Sequence, residues 1–181
     1  MVGGEDTLAE EAAGPANQIG WFALSMLITI FNDQFPFTTM INQRGNAVWN
    51  GDIKGSGTIS TQSGVINAPY STSARFEGQK GTNPEELIGA AHAGCYTMFL
   101  NSILSKDGKT VEQLTTESKV TLDLSTGAPV ITKIHVTTSG KVAGLSADEF
   151  KEYAENAKAN CPVSKALGSV GEMTLEANLA S

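Results

Sequence analysis

From residue 40 onward the chain predicts an α+β fold, on three observations. Short strand-like segments come in blocks rather than alternating with helices. One strong helix, opened at Asn83–Pro84, divides two such blocks. Hydrophobic residues at 40 % against 17 % charged supply enough apolar material for a core. A doubly wound parallel sheet requires regular alternation of strand and helix, which this order lacks.

Taken in order, residues 41–50 (INQRGNAVWN) and 53–60 (IKGSGTIS) predict two short strands around an Asn50–Gly51–Asp52 turn. Residues 62–82, rich in Gly, Ser, Asn and Pro, predict an irregular connection holding at most a short strand. Asn83 is a good N-cap, Pro84 suits the first helical position, and Glu86 stands where a capping box closes, so a helix is predicted to about Ser105. Ile88, Ala91, Cys95, Met98, Phe99 and Ser102 recur along it at helical spacing as one small apolar face, and Gly89, Ala90, Ala91, Ala93 and Gly94 invite close packing of other backbone. It reads as a buried central helix. Residues 112–124 and 129–141 predict a hairpin, the second with Val130, Thr132, Ile134 and Val136 in alternation. Ser146 and Glu149 cap an amphipathic helix over 146–159, Cys161–Pro162 starts a short helix to about Leu167, and residues 170–179 close the domain as a strand.

Residues 1–39 differ in character. They carry Glu5, Asp6, Glu10, Glu11 and Asp33 and none of the 12 basic residues, so five of the seven net negative charges lie there. Their apolar stretch, Trp21 to Phe31, is 11 residues long, against about 20 for a membrane-spanning helix. Signal peptides begin with positive charge and mitochondrial leaders are Arg-rich, and neither description fits. The expectation is an N-terminal extension over 1–39 that packs on the domain, 40–181, or on a partner subunit. The alternative is a translated upstream region with Met40 as the natural start. Elsewhere Lys and Arg are scattered singly in a chain of net charge −7, which argues against nucleic-acid binding.

Two cysteines permit a single intrachain disulfide, so the chain is not a disulfide scaffold. Cys161, before Pro162, falls at a helix start with Lys165 in the first turn, a setting that lowers a thiol pKa. Cys95 lies about 12 residues into its helix, where the macrodipole offers little. On local chemistry alone it is a core cysteine unless a cation reaches it. Arg75, one of two arginines, is the best candidate for that cation. Glu85 is most simply a helix-capping residue, and ten residues at 1.5 Å each place it about 15 Å from Cys95 along an intact helix. His92 and His135 with the two cysteines make a nominal Cys₂His₂ set, but none of them forms the close pair that zinc sites use. No metal is expected.

The run RFEGQKGTNPEELIGAAHAGC at 75–95 resembles the signature of the OsmC family of peroxiredoxin-like proteins. AVWNGDIKGSGTIST at 47–61 and KANCPVSKAL at 158–167 agree with it. The likeness covers residues 40–181. It is nearer the osmotically inducible branch than the organic hydroperoxide resistance branch, because Arg75 falls just before the helix. The resemblance implies a two-layer fold with a central cysteine-bearing helix wrapped by antiparallel sheets, in an intertwined homodimer with its sites at the subunit interface. It assigns Cys95 as the peroxidatic cysteine, Cys161 as the resolving cysteine, Arg75 as the activating cation and Glu85 as its carboxylate partner.

The activity so implied is reduction of organic hydroperoxides, and of hydrogen peroxide less well, through a sulfenic acid and an intrachain disulfide. An external dithiol of lipoyl type is the expected reductant. No cofactor, membrane or nucleic acid is implied, and the expected location is the cytoplasm. Ile88, Met98 and Phe99 are candidates to line the substrate site. Two alternatives stay open: a module binding a small lipid-like ligand at a dimer interface with inert cysteines, and a peroxide-sensing redox switch.

Overall fold

The computed structural model describes residues 40–125 and 127–180, and the elements among them belong to the unit that begins at Gly45. The expectations for residues 1–39 lie outside the described residues. Six strands and four helices follow in the order β1 (Gly45–Asn50), β2 (Ser56–Thr61), β3 (Asn67–Ser71), α1 (Thr72–Phe76), α2 (Pro84–Lys106), β4 (Val111–Asp123), β5 (Val130–Val142), α3 (Ala147–Asn160), α4 (Pro162–Ala166) and β6 (Glu172–Leu179). This is the predicted α+β order. The segment read as irregular, 62–82, holds both a strand and the short helix α1, where the Ser71 side chain caps by accepting the Ala74 N–H at 3.0 Å.

There are two three-stranded sheets. The first, β1-β2-β3, is antiparallel, with Trp49 opposite Gly57 and Gly57 opposite Tyr70. Its first strand begins at Gly45, four residues later than expected, and its turn uses Gly51 at φ 90°. The second sheet, β4-β5-β6, contains the predicted long hairpin. β6 returns to it parallel to β5, through the crossover that α3 and α4 make, so this sheet is mixed.

On β5 the buried residues alternate as Ile134, Val136 and Thr138, and α2 packs on β4 and α3 on β6 to either side of them. The core joins Tyr96, Leu100 and Leu104 of α2 to Ile134, Val136 and Val142 of β5, Phe150 and Ala157 of α3, and Cys161. Two glycines let the layers meet. A side chain at Gly140 would stand 2.7 Å from the Phe150 ring, and one at Gly89 would stand 2.6 Å from the Ser118 carbonyl oxygen on β4.

The buried face of α2 differs from the expected one. Gly89, His92, Tyr96, Leu100 and Leu104 are buried, whereas Ala91 and Ser102 are exposed and Met98 is 75 % exposed. Both faces of this helix are apolar, so spacing alone does not choose between them. Tertiary hydrogen bonds decide: the Tyr96 hydroxyl donates to the Ala154 carbonyl at 2.8 Å, and both nitrogens of the His92 ring find hydroxyls. The helix is long and apolar enough to cross a membrane by length and composition, yet it packs against a sheet and buries a histidine.

Gly89→Ala tests the close approach of α2 to β4. In an open helix it would stabilise by roughly 1 kcal/mol, but here the new methyl meets backbone, and such overpacking costs about 1–3 kcal/mol. A lowered thermal midpoint is expected; an unchanged or raised one would show that the contact is not tight.

Candidate active site

Helix α2 carries Cys95 on its twelfth residue, and the junction of α3 with α4 carries Cys161. Each position follows from local sequence. Ser146 and Glu149 close a complete capping box that starts α3, whose Phe150, Ala154 and Ala157 are buried. The Cys161 N–H donates to the Ala157 carbonyl at 2.9 Å and ends that helix. Pro162, with no N–H to satisfy, begins the next. The bond from Tyr96 to Ala154 ties α2 to α3 one residue from Cys95.

The result is a pair of sulfurs 3.2 Å apart. That is hydrogen-bond contact between two free thiols, about 1.2 Å longer than a disulfide. Cys161 is fully buried and Cys95 half-buried.

The two thiols are electrostatically unequal. Burial pushes the Cys95 thiol up, the neighbouring Cys161 adds to the rise, and a Val163 N–H facing the sulfur offsets only part of it. Burial also opposes ionisation of Cys161. There the Ser164 N–H, the Cys95 thiol, the Ser164 hydroxyl and the Val163 N–H together outweigh it, and the thiol is held below its ordinary value. Within one chain the local chemistry therefore favours the anion at Cys161, as the sequence indicated.

Arg75 and Glu85 meet each other rather than Cys95. The guanidinium lies bidentate on the carboxylate, Nε to Oε2 at 3.0 Å and Nη2 to Oε1 at 2.5 Å. Helix α1 supplies the arginine and the first turn of α2 the glutamate. This pair is about 15 Å along α2 from Cys95. A cleft of about 210 Å³ adjoins it, lined by Trp49, Ile53, Tyr70, Phe76 and Pro84 with Arg75 at its edge. Sequence reading missed these aromatic residues, having named Ile88, Met98 and Phe99. Of those, Phe99 packs on the core and Met98 stands largely exposed. Trp49 and Tyr70, with ring centroids 5.2 Å apart, meet across Gly57 of β2, a juxtaposition set by strand register and without a local signature.

The nominal Cys₂His₂ set does not assemble. His92 is fully buried, with Nδ1 2.8 Å from Ser118 Oγ and Nε2 2.9 Å from Ser164 Oγ, while His135 on β5 bonds Thr174 at 2.7 Å. Among the described residues no three His, Cys, Asp or Glu side chains group as a metal site. Ser118 and Ser164 are site neighbours that sequence reading did not single out. The only clue was the i, i+3 spacing of Ser164 from Cys161.

A paired-thiol site on an α+β scaffold of two small sheets and a long helix defines a class of redox protein. The chain belongs to the OsmC family: the OsmC-like protein family matches residues 77–176. It is 48 % identical over 143 residues to Peroxiredoxin OsmC of Escherichia coli K12, spanning 78 % of this chain and 99 % of that protein. It is 35 % identical over 101 residues to organic hydroperoxide resistance protein OhrA of Bacillus subtilis, spanning 54 % of this chain and 68 % of that one. Among solved structures, the OsmC-like protein of Mycoplasma pneumoniae superposes with a TM-score of 0.63 at 17 % identity, over 78 % of this chain and 99 % of that one, and so supports the fold. Bacillus subtilis OhrB superposes with a TM-score of 0.55 at 26 % identity, over 76 % and 98 %. Membership of this family makes the chain a peroxide-related redox protein.

Burial lowers the pKa of His92 below its ordinary 6.5. The folded state then binds this proton less readily than the unfolded chain, so stability falls as pH drops below about 6.5 toward the lower folded value. His92→Gln removes the group. Between about pH 7 and pH 5 the variant's denaturation midpoint is expected to fall less than the wild type's; equal slopes would refute the assignment.

Proposed function

We propose that this protein is a thiol peroxidase that reduces organic hydroperoxides to alcohols, with Cys95 attacking and Cys161 resolving. The observation that carries the reading is the 3.2 Å separation of the two sulfurs, close enough to form a disulfide with a small side-chain movement.

In the proposed cycle the Cys95 thiolate attacks the outer oxygen of ROOH. The O–O bond breaks, and the alkoxide takes the Cys161 thiol proton and leaves as ROH. Cys95 is now a sulfenic acid and Cys161 a thiolate. The Cys161 thiolate attacks the Cys95 sulfur, and hydroxide leaves and is protonated by solvent to water. An external dithiol, of lipoyl type by family resemblance, returns both thiols by two exchanges and becomes a disulfide itself. These thiols need a reducing compartment to be recycled, which suits the cytoplasm.

Cys95 must be the anion in the first step, against its own surroundings, and a cation must supply the difference. The pair Arg75–Glu85 is fixed in bidentate geometry, which orients the guanidinium. It is too far along its own α2 to serve its own Cys95, so the reading places it at the Cys95 of a second chain in a homodimer. Two exposed apolar surfaces support that assembly. One is the face of α2 with Ala90, Ala91, Gly94 and Met98; the other is the β1–β3 sheet and its flank, with Val48, Trp49, Ile53 and Phe76. The cleft beside Arg75 would then take the organic part of the hydroperoxide, its aromatic lining favouring an apolar group over hydrogen peroxide.

Cys95→Ser is expected to abolish turnover of cumene hydroperoxide; retained activity would sink the assignment. Cys161→Ser should carry Cys95 on to sulfinic and sulfonic acid, read by intact mass. Mixed dimers test the shared site. A Cys95→Ser chain paired with an Arg75→Ala chain keeps one site in which an intact arginine faces an intact cysteine; with random pairing about half of the dimers are mixed, so the mixture should recover about a quarter of the wild-type activity that neither parent dimer shows, by the logic of isologous sites. An inactive mixture would place the arginine's action within its own chain.

A further inference from the structure

His92 takes no part in the cycle above, yet it is a fully buried ionisable ring one hydroxyl away from Cys161. Its Nε2 is 2.9 Å from Ser164 Oγ, and its Nδ1 is 2.8 Å from Ser118 Oγ on β4. Ser164 is itself buried and stands three residues after Cys161 in the first turn of α4, where its hydroxyl favours the Cys161 anion. We propose that Ser118, His92 and Ser164 form a chain of donors ending on the Cys161 sulfur, which holds that sulfur as the thiolate required for disulfide closure. The proposal rests on the reading of Cys161 as the resolving thiol and makes His92 and Ser164 positioning residues for that step.

Counting hydrogens gives the direction of the chain. A serine hydroxyl has one hydrogen, and a neutral imidazole donates from one nitrogen and accepts at the other. If the Ser164 hydrogen points to the sulfur, its oxygen must accept from His92, which requires the proton on Nε2. Nδ1 is then an acceptor, filled by the Ser118 hydroxyl. Every hydrogen is used once, and each bond polarises the next toward the negative sulfur. Burial keeps the ring neutral and so preserves this arrangement. The opposite tautomer would turn the Ser164 hydrogen toward His92 and leave the sulfur facing a lone pair.

The step it serves is balanced without moving a proton along the chain. The Cys161 thiolate forms the S–S bond as the Cys95 S–O bond breaks, and hydroxide leaves for solvent. The chain lowers the cost of the anion before attack. It also provides for the anion at Cys161, since Arg75, oriented by Glu85, is assigned to Cys95.

The test separates the two chemical steps. Reduced wild type, Ser164→Ala and Ser164→Thr are mixed with one equivalent of cumene hydroperoxide, quenched over time with a sulfenate-trapping reagent, and read by intact mass. Removing a hydrogen bond to a charged sulfur is expected to slow disulfide closure in Ser164→Ala by about tenfold or more, with sulfenate accumulating. Ser164→Thr, which keeps the hydroxyl, is expected to restore it. Closure at the wild-type rate in Ser164→Ala, with Cys95 sulfenylated, overturns the donor chain while leaving the peroxidase reading intact. Absence of sulfenate and disulfide in the wild type overturns the peroxidase reading itself and the chain with it. A second readout needs no variant: ¹⁵N shifts of His92 in the reduced protein should report the Nε2–H tautomer, and the Nδ1–H tautomer contradicts the proposal.

Discussion

The approach of Cys95 to Cys161 depends on close packing between elements from distant parts of the sequence. Helix α2 lies close on β4 because Gly89 has no side chain to meet the Ser118 carbonyl. Helix α3 lies close on β5 because Gly140 leaves room for the Phe150 ring. The Tyr96 hydroxyl then joins α2 to α3 through a buried bond. With both helices fixed, the end of α3 falls beside the middle of α2, and Pro162 turns the chain so that the Cys161 sulfur faces Cys95. Interiors packed at crystal-like density transmit small errors, so a shift of one layer would open the pair.

Charge is a separate problem from distance. A buried sulfur on an apolar helix is a poor anion, and Cys95 is one. The fold collects the donors at the other thiol, which suits a resolving role but leaves the attacking role unprovided within one chain. The strongest cation–carboxylate arrangement near α2 is at its far end, fixed and partly open to solvent. The proposed homodimer would reconcile these facts. The second chain would bring its Arg75 to Cys95 and in doing so cover the exposed apolar face of α2.

Much of the fold was legible because capping chemistry is local. Asn83–Pro84, Ser146 with Glu149, and Cys161–Pro162 mark the starts of α2, α3 and α4 within one residue. The long hairpin was legible from alternation on β5. Less legible were features that depend on what lies across the molecule. Helix α1 is short and contributes no periodicity, so the element that carries Arg75 read as loop. The buried face of α2 could not be chosen by hydrophobicity, because His92 and Tyr96 are buried through hydrogen bonds to partners 26 or more positions away. The cysteines were visible at once, but their pairing came from family resemblance, and nothing local in the sequence announced a separation of 3.2 Å.

The central claim is that the two sulfurs are poised to join when peroxide arrives. Its most direct test is the intact mass of the reduced wild-type protein after one equivalent of cumene hydroperoxide, followed by peptide mapping. A loss of two hydrogens, with Cys95 and Cys161 in one linked peptide, is the predicted result. An unchanged mass, or a gain of oxygen on Cys95 with Cys161 still free, would contradict it.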